Sequence, residues 1–390
     1  MKKPKKNYWE ERSRMSNIPK LRFPEFSEEW EEKKFSEIVY LENERDVCKK
    51  SDYITTENLN KDYAGVTFNT NSNEIVPGIK YLKDDILFGN IRPYLKKVWQ
   101  ADRNGCVNSD VLVFKIIKDN SKFINNIICS DLFLSHVMNG AKGTKMPRGD
   151  KNQMMDFIAK IPSLAEQQKI ADFLANVDSI ITAETKILNT LQKKKKALMQ
   201  KLFTRQLRFK SDDGTNFPEW EEKKLGDVCE ISAGGDIDKE NSQKIYSEQY
   251  PYAVYSNSLE NKGLYGYANY FKIDGNTITV TGRGDVGHAI ARHEKYVPIV
   301  RLLVCKPINN ENVDFLENAI NNTKIFIEST GVPQLTAPQL SNIFIKLPCI
   351  EEQQKIADCL SSLDSLIQTQ QKVVTAWQQR KKALLQQMFI

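Results

Sequence analysis

The strongest constraint on the fold of this chain is an internal repeat. The seven residues Glu166 to Asp172 (EQQKIAD) recur letter for letter at Glu352 to Asp358, 186 positions later. Aligned without gaps, residues 164–203 and 350–389 share 19 of 40 positions, where average composition would give roughly two or three. The chain therefore contains one segment twice, and each copy must occupy the same structural place.

The repeat also covers the segments that precede each copy. The pentapeptide Trp30-Glu-Glu-Lys-Lys returns at Trp220, and Leu21-Arg-Phe returns at Leu207. Thr144 and Pro147 match Thr330 and Pro333, and Lys160-Ile-Pro matches Lys346-Leu-Pro, whereas residues 40–139 share little with residues 230–326. This order predicts an N-terminal extension (1–17), a first domain (18–162), a helix (163–205), a second domain (206–348) and a second helix (349–390). The divergent inserts are expected to recognise different targets.

Length and composition limit the class of protein. A chain of 390 residues is too long for one ordinary core, which agrees with two domains. Seven cysteines without a C-x-x-C pair, no apolar run long enough for a membrane helix and a charged N-terminus predict a cytoplasmic protein without disulfides. The net charge of +6 is too small to identify a nucleic-acid partner by itself.

Apolar residues in both repeated segments follow a heptad pattern, which predicts two long coiled-coil helices, each beginning just after a proline (Pro162 and Pro348). At about 1.5 Å per residue, some 40 residues span roughly 60 Å. The predicted seam and partner-binding residues are Ile170, Leu174, Val177, Ile181, Glu184, Leu188, Leu191, Ile356, Leu360, Leu363, Ile367, Gln370, Val374 and Trp377.

Polar residues within the seam favour antiparallel pairing. Antiparallel helices would bring Glu184 and Gln370 together near their midpoints, whereas parallel helices would place Lys195 against Lys381. Antiparallel pairing would hold the two domains at opposite ends of a rod. The alternative is that each helix packs separately on its own domain.

Candidate DNA contacts combine cations, aromatic rings and glycine-rich turns. Residues 86–99 read as strand, turn and strand, residues 140–149 as a loop that could clasp a backbone, and residues 282–287 as a glycine-rich turn. The candidates are Arg92, Tyr94, Lys96, Lys97, Lys142, Thr144, Lys145, Arg148, Arg283, His288, Thr330 and Gln334. Of the first segment, Tyr94 and Trp99 are expected to belong in part to the core. The basic run of residues 193–210 could contact phosphates, face partner subunits or form a solvated helix end.

Catalytic motifs are absent from the sequence. Gly282 to Gly287 matches G-x-G-x-x-G, but β-like sequence follows it and no acidic residue lies about twenty positions later, so we reject a dinucleotide site. The chain has no Walker, G-x-S-x-G or H-E-x-x-H motif, none of the tetrapeptides of adenine methyltransferases, and only three histidines. We expect no catalytic residue, no metal site and no enzyme activity in this chain.

From Ile18 to Phe389 the sequence resembles the specificity subunits of type I restriction-modification systems. The resemblance rests on Pro19-Lys-Leu-Arg-Phe-Pro-Glu-Phe, the two Trp-Glu-Glu-Lys-Lys frames, the threonine and proline turns and the paired EQQKIAD helices. It implies an α+β fold in which two mixed α/β target recognition domains are joined by two long antiparallel coiled-coil helices as a pseudo-twofold repeat. It also implies recognition of a bipartite double-stranded DNA site in defence against foreign DNA.

The same resemblance implies partners. These are two adenine methyltransferase subunits, which use S-adenosylmethionine, and two motor-nuclease subunits, which use ATP and Mg, so no cofactor is expected in this chain. Residues 1–14 extend beyond the usual start of such subunits and receive no role. The alternatives are a solitary or decoy DNA-binding protein on the same scaffold and, less compatible with the missing motifs, a fused nuclease or methyltransferase.

Overall fold

The structure, a computed structural model, describes residues 18–69, 72–323, 325 and 334–389. The chain divides into two units, of which the first comprises residues 1–185 with 372–390 and the second residues 186–371. Each long helix therefore contributes one half to each unit. The predicted extension at residues 1–17 and the candidate contact Thr330 lie outside the described residues.

The first unit contains ten strands, four short helices and the start of a long helix. Its strands are β1 (Glu31–Lys34), β2 (Val39–Leu41), β3 (Arg45–Lys49), β4 (Tyr53–Ile54), β5 (Ile75–Tyr81), β6 (Ile86–Gly89), β7 (Val98–Gln100), β8 (Gly105–Val107), β9 (Val111–Ile116) and β10 (Ile158–Ile161). Its helices are α1 (Phe35–Ile38), α2 (Ser121–Ile128), α3 (Asp131–Asn139), α4 (Lys151–Met155) and the first half of α5 (Leu164–Phe203).

The second unit repeats this plan. Its strands are β11 (Glu221–Lys224), β12 (Cys229–Ala233), β13 (Ser242–Gln243), β14 (Tyr252–Tyr255), β15 (Leu264–Ala268), β16 (Thr277–Val280), β17 (Ala289–Arg292), β18 (Tyr296–Pro298), β19 (Leu303–Pro307) and β20 (Phe344–Leu347). Its helices are the second half of α5, then α6 (Leu225–Val228), α7 (Val313–Asn322), α8 (Ala337–Ser341) and the first half of α9 (Ile350–Met388).

Three sheets build each unit, and two of them correspond. The repeated Glu-Glu-Lys-Lys strands pair antiparallel with the strand before each long helix, as β1 with β10 and β11 with β20. The central sheets have the equivalent orders β2-β9-β6-β7 and β12-β19-β16-β17. The third sheets differ, with orders β3-β5-β8-β4 and β13-β15-β14-β18, so the parallel pair is connected differently in the two units. The divergent sequence thus lies largely in the third sheets.

The long helices run antiparallel within each unit. The beginning of α5 (Ile170, Leu174) and the end of α9 (Met388, Phe389) bury side chains in the same core of the first unit. In the second unit the end of α5 and the beginning of α9 share a core in the same way. All fourteen predicted seam residues are buried or half-buried. The predicted α+β fold with two repeated domains and a pair of long helices is confirmed.

Equivalent ion pairs join the helices in both units. Lys381 lies 2.6 Å from Asp178 in the first unit, and Lys195 lies 2.6 Å from Asp364 in the second. Each partner in one pair is 186 positions from its counterpart in the other, since 178 + 186 = 364 and 195 + 186 = 381. Lysines that parallel helices would have opposed therefore meet aspartates instead.

The first two letters of the repeated EQQK motif have the same contacts in both copies. Glu166 receives Arg22 Nε at 2.8 Å and a terminal nitrogen at 2.7 Å, and Glu352 receives Arg208 at 3.2 and 2.8 Å. Both carboxylates are buried. A buried carboxylate requires such a paired donor, which explains why Leu-Arg-Phe repeats together with the helix.

The glutamines of this motif connect each long helix to a short one. Gln167 Oε1 accepts the backbone N–H of Asn120, and its Nε2 donates to the Pro162 carbonyl at 2.9 Å in both cases. Asn120 in turn caps α2 by accepting the amide of Phe123. Gln353 makes the same contacts around the cap of α7. One short motif therefore fixes the start of a long helix and of its neighbour.

Candidate nucleic-acid interface

Two of the segments predicted to contact DNA lie side by side in the first unit. The loop after β6 runs along residues 142–148, where Ile91 forms a β-bridge with Arg148 and the amide of Arg92 donates to the Pro147 carbonyl at 2.8 Å. Residues 142–148 form a narrow hairpin, because Lys142 and Arg148 exchange two backbone hydrogen bonds of 2.9 Å. The two segments therefore form one surface.

The loop after β6 presents its cations in a fixed backbone conformation. Arg92 and Lys96 have φ values of 52° and 54°, in the left-handed region that L-residues seldom adopt. Lys96 lies 3.2 Å from Asp131, and Lys97 donates to the Thr56 carbonyl. Burial lowers the pKa of Lys97, with the positive charge of Lys61 acting in the same direction.

The two aromatic residues of this segment have different environments. Trp99 packs edge-on against Phe68 and Tyr81, with ring centroids 5.7 and 6.0 Å away, and is half-buried as expected. Tyr94 lies in a 3-10 turn at Pro93–Leu95, and 47% of its surface is exposed. The expectation that Tyr94 belongs to the core is wrong, because the turn directs its ring outward.

The hairpin at residues 142–148 carries exposed charge. Lys142 lies 2.6 Å from Asp150, and Arg148 lies 2.9 Å from Asp110, with 81% and 60% of the two cationic side chains exposed. Thr144 and Lys145 are exposed at its tip. Exposed ion pairs of this kind contribute little stability, so both cations can exchange their carboxylate partners for phosphates at small cost.

A cavity of about 490 Å³ opens between these segments in the first unit. It is lined by Thr55, Thr56, Glu57, Ile91, Arg92, Leu95, Lys97, Asn108, Asp110 and Met146. Arg92 Nε and Asn108 Oδ1 are buried without a hydrogen-bond partner among the described residues, and so is Oδ1 of the nearby Asn90. Buried polar atoms are normally paired, so this cluster suits a ligand with its own donors and acceptors.

The second unit builds a corresponding surface from the glycine-rich turn. Arg283 forms a β-bridge with Gln334 and donates to its Oε1 at 3.3 Å. Gly282 donates its amide to Asn257 Oδ1 at 2.7 Å and accepts the amide of Leu335 at 2.9 Å. His288 is exposed nearby, and burial is the main cause that lowers its pKa. Strands β17 and β18 follow this turn, as the rejection of a dinucleotide site predicted.

Part of the basic run at residues 193–210 is engaged within the chain. Lys195 pairs with Asp364, Arg205 lies 3.6 Å from Glu219, and Arg208 holds the buried Glu352. These three cations therefore stabilise the second unit rather than form a free patch. For the remaining lysines of the run, the three alternatives stay open.

Sequence reasoning missed several polar residues of the two surfaces, namely Asn90, Asn108, Asp110, Asn257 and Arg301. Asn108 and Asp110 form a polar turn between β8 and β9, two short apolar strands, and this punctuation was the available signal. Nowhere in the described ranges do three or more His, Cys, Asp or Glu side chains gather in a way that could hold a metal ion. Among the same residues, no helix has the length and apolar character required to span a bilayer.

Comparison with known proteins identifies relatives along the chain. A family model described as the type I restriction modification DNA specificity domain matches twice, at residues 27–193 and 218–376. The type I restriction enzyme MjaVIII specificity subunit of Methanocaldococcus jannaschii is 26% identical over 378 residues, 85% of this chain and 84% of that protein. A Mycoplasma pneumoniae protein, provisionally named type I specificity subunit S.MpnORF507P, is 28% identical over 266 residues, which cover 67% of this chain and 66% of the relative.

Solved structures show the same fold. The S subunit of a type I restriction-modification system from M. genitalium superimposes with a TM-score of 0.64 at 15% identity, covering 96% of this chain and 99% of the other. A chain from a structural study of complex assembly and conformational transition of the type I R-M system gives a TM-score of 0.57 at 16% identity, with 91% and 96% covered. Since the family model matches both repeats, the chain belongs to the type I restriction-modification specificity family, whose role is DNA sequence recognition.

Proposed function

We propose that this chain is the non-catalytic specificity subunit of a type I restriction-modification complex and recognises a bipartite DNA site. Each unit binds one half-site through the surface described above. The paired helices dock two methyltransferase subunits, and the complex also includes two motor-nuclease subunits. The cofactors of methylation and translocation, S-adenosylmethionine, ATP and Mg, are bound by those partners.

One observation carries the proposal: both units place a loop after the central strand beside a second loop through an equivalent β-bridge. The bridge joins Ile91 to Arg148 in the first unit and Arg283 to Gln334 in the second. Arg148 and Gln334 are 186 positions apart, the offset of the repeat. Two equivalent surfaces with different side chains fit a protein that recognises two different short DNA sequences.

The chemistry of both surfaces suits DNA. Exposed cations such as Lys142, Lys145 and Arg148 can bind phosphates, and arginine and glutamine side chains are common readers of base edges in the major groove. The unpaired polar atoms of Asn108 and Arg92 would gain partners from a hydrogen-bonding ligand.

The relatives support the assembly part of the proposal. The M. jannaschii protein is named as the specificity subunit of a restriction enzyme, and one structural neighbour was solved in a study of complex assembly. A specificity subunit without catalytic motifs requires partner subunits for chemistry. Long paired helices offer those partners an extended docking surface.

The test is to co-express this chain with the methyltransferase subunit from its own source, purify the complex and map methylated adenines by long-read sequencing. A split motif with two short half-sites and a fixed gap is the expected result. A stable complex that methylates nothing would instead support a decoy. Failure to form a complex, with DNA binding by the chain alone, would support the solitary DNA-binding alternative.

Assignment of one half-site to each unit needs a second experiment. Residues 30–147 are exchanged for the same region of a relative with a known target, while both long helices are left intact. Only one half-site of the methylation motif should change. A change in both half-sites would contradict the division of recognition between the units.

A further inference from the structure

The central sheets of the two units share one register, which makes their residues comparable one by one. In the first unit Leu41 pairs with Phe114, and in the second Ile231 pairs with Cys305. Leu41 and Ile231 lie at the same distance from the repeated tryptophan of each frame, since 41 − 30 = 231 − 220. Phe114 and Cys305 are therefore equivalent positions.

Counting from this pair aligns the residues that enter the central strand. Asp110 and Arg301 each lie four positions before it. Both adjoin the loop after the central strand in the same way: Asn90 donates its amide to the Asp110 carbonyl at 2.9 Å, and a Cβ placed on Gly282 would lie 3.3 Å from the Arg301 carbonyl oxygen.

The same register aligns the loop itself. Phe114 and Cys305 pair with the residues that lie five positions before Ile91 and Arg283. Both of these loop residues make the β-bridge to the second loop, which provides an independent check on the alignment. Each unit therefore brings three equivalent positions together, 91, 110 and 148 in the first and 283, 301 and 334 in the second.

These equivalent positions carry different chemistry. The first unit has isoleucine, aspartate and arginine, with the Asp110 and Arg148 side chains 30% and 60% exposed and 2.9 Å apart. The second has arginine, arginine and glutamine, with Arg283 bonded to Gln334 at 3.3 Å. The fold presents both sets at one surface site, so their difference is a difference in what that site can bind.

Backbone strain fixes the position of Arg301. Val300 and Arg301 have φ values of 54° and 58°, and a β-branched residue rarely tolerates this region. Hydrogen bonds from their amides to the carbonyls of Gly235 and Gly234, 2.9 and 3.0 Å long, hold the turn. The turn leaves Arg301 exposed, and among the described residues its guanidinium has no ion-pair partner. Strain of this kind concentrates at sites where a side chain must be presented in one orientation.

We infer that these three positions are the base-discriminating set of each unit, with Asp110 and Arg301 as specificity-determining residues. The inference rests on the proposed function and adds to it the residues that choose the half-site. Arginine donates to guanine O6 and N7, and aspartate accepts from the cytosine amino group. The second half-site should therefore require a guanine contacted by Arg301, and the first a cytosine contacted by Asp110.

The test uses the complex with the methyltransferase subunit and compares methylation motifs by long-read sequencing. Arg301→Gln should reduce the preference at one guanine of one half-site by on the order of tenfold and leave the other half-site unchanged. Asp110→Asn should relax one position of the opposite half-site. Both residues lie at the surface, so the complexes should purify with unchanged melting temperatures.

Matched variants distinguish recognition from general charge effects. Lys306→Gln removes an exposed cation from the far end of β19, and Asp156→Asn removes an exposed carboxylate that lies 3.4 Å from Lys34. Neither should alter the motif. Arg301→Lys keeps the charge but loses the two-pronged donor, so it should lose the guanine preference while nonspecific DNA affinity is retained.

Two outcomes separate this inference from the proposed function. A wild-type complex without a split methylation motif would overturn the proposed function. A wild-type split motif that Arg301→Gln, Arg301→Lys and Asp110→Asn all leave unchanged would overturn only the assignment of the discriminating positions. A change in both half-sites from one substitution would also overturn it.

Discussion

At the scale of single residues, the two buried glutamates of the repeat are equivalent in sequence but not in environment. Glu166 accepts two hydrogen bonds from Arg22. Glu352 accepts two from Arg208 and a third from the indole of Trp220 at 3.0 Å. In the first unit the indole nitrogen of Trp30, the counterpart of Trp220, has no partner among the described residues. The second unit therefore depends more on its glutamate.

This difference predicts unequal costs of substitution. Glu352→Gln leaves a buried guanidinium without its counter-charge and should destabilise the second unit by about 3–5 kcal/mol. Glu166→Gln should cost less, because no indole donor is lost. Chemical denaturation of the full chain, with hydrogen exchange to assign each transition to a unit, measures both effects.

The adjacent Glu351 supplies the control, since its side chain is exposed at the first turn of α9. Glu351→Gln should change stability by no more than about 1 kcal/mol. Equal losses from the substitutions at Glu352 and Glu351 would show that the buried ion pair has no special role.

A second prediction at this scale concerns pH. Burial raises the pKa of the Glu317 carboxyl above its ordinary value of 4.5, despite a hydrogen bond from the Ala291 amide. The folded protein therefore holds this proton more tightly than the unfolded chain. Its contribution to stability is fully present below the unfolded pKa and is lost as the pH rises through the folded pKa.

Glu317→Gln removes this titration and should make the second unit more stable than wild type at neutral pH, with the advantage vanishing below pH 4.5. Denaturation curves of both proteins across this range provide the measurement. Glu248→Gln, at an exposed carboxylate of the same unit, serves as the control and should show no such advantage. A constant difference at every pH would mean that packing rather than ionisation is responsible.

At the scale of elements, the long helices were the most predictable part of the molecule. Their heptads and the prolines before them gave both helix starts within two residues, because helix periodicity is a local signal. The order of the third sheets was not predictable. Their strands are as short as Tyr53–Ile54 and Ser242–Gln243, and their pairing depends on distant partners. Divergent sequence gave no second copy to compare.

The antiparallel ion pairs allow a charge-exchange experiment. Asp178→Lys or Lys381→Asp alone should destabilise the first unit, since each places like charges at one contact. The double variant should recover stability, with a coupling of roughly 0.2–1 kcal/mol, because Asp178 is about half exposed and solvent screens the pair. A double-mutant cycle by thermal denaturation measures this coupling.

The second unit offers the matched comparison, since Lys195 and Asp364 form the equivalent contact. Exchanging the charges of that pair should give a coupling of the same sign and similar size. Combining Lys381→Asp with Asp364→Lys, which do not form a printed contact, should restore nothing. Zero coupling in both true pairs would contradict the antiparallel contacts.

At the scale of the whole molecule, the repeat predicted the plan of two units and two helices, and the divergent inserts predicted where the candidate surfaces lie. Cation-rich segments identified Arg148 and Arg283 correctly as neighbours of the loops after the central strands. Asp110 and Arg301 were missed, because their importance follows from strand register rather than from local composition. Which side chains converge is a property of tertiary structure, and only equivalence between two folded copies made it visible.

The repeat also shows where the molecule can be lengthened without disturbing either unit. The units divide after Thr185 and after Gln371, and these residues are themselves 186 positions apart, so they are equivalent points on α5 and α9. A seven-residue insertion at each point keeps the heptad register of both helices and adds about 10 Å to each. If the helices set the gap between half-sites, the gap should grow by about three base pairs, with both half-sites unchanged. Long-read methylation mapping of the lengthened complex measures this gap, and an insertion at Thr185 alone is the control, because it breaks the pairing and should impair assembly. A lengthened complex that methylates the original motif would show that helix length does not determine the gap.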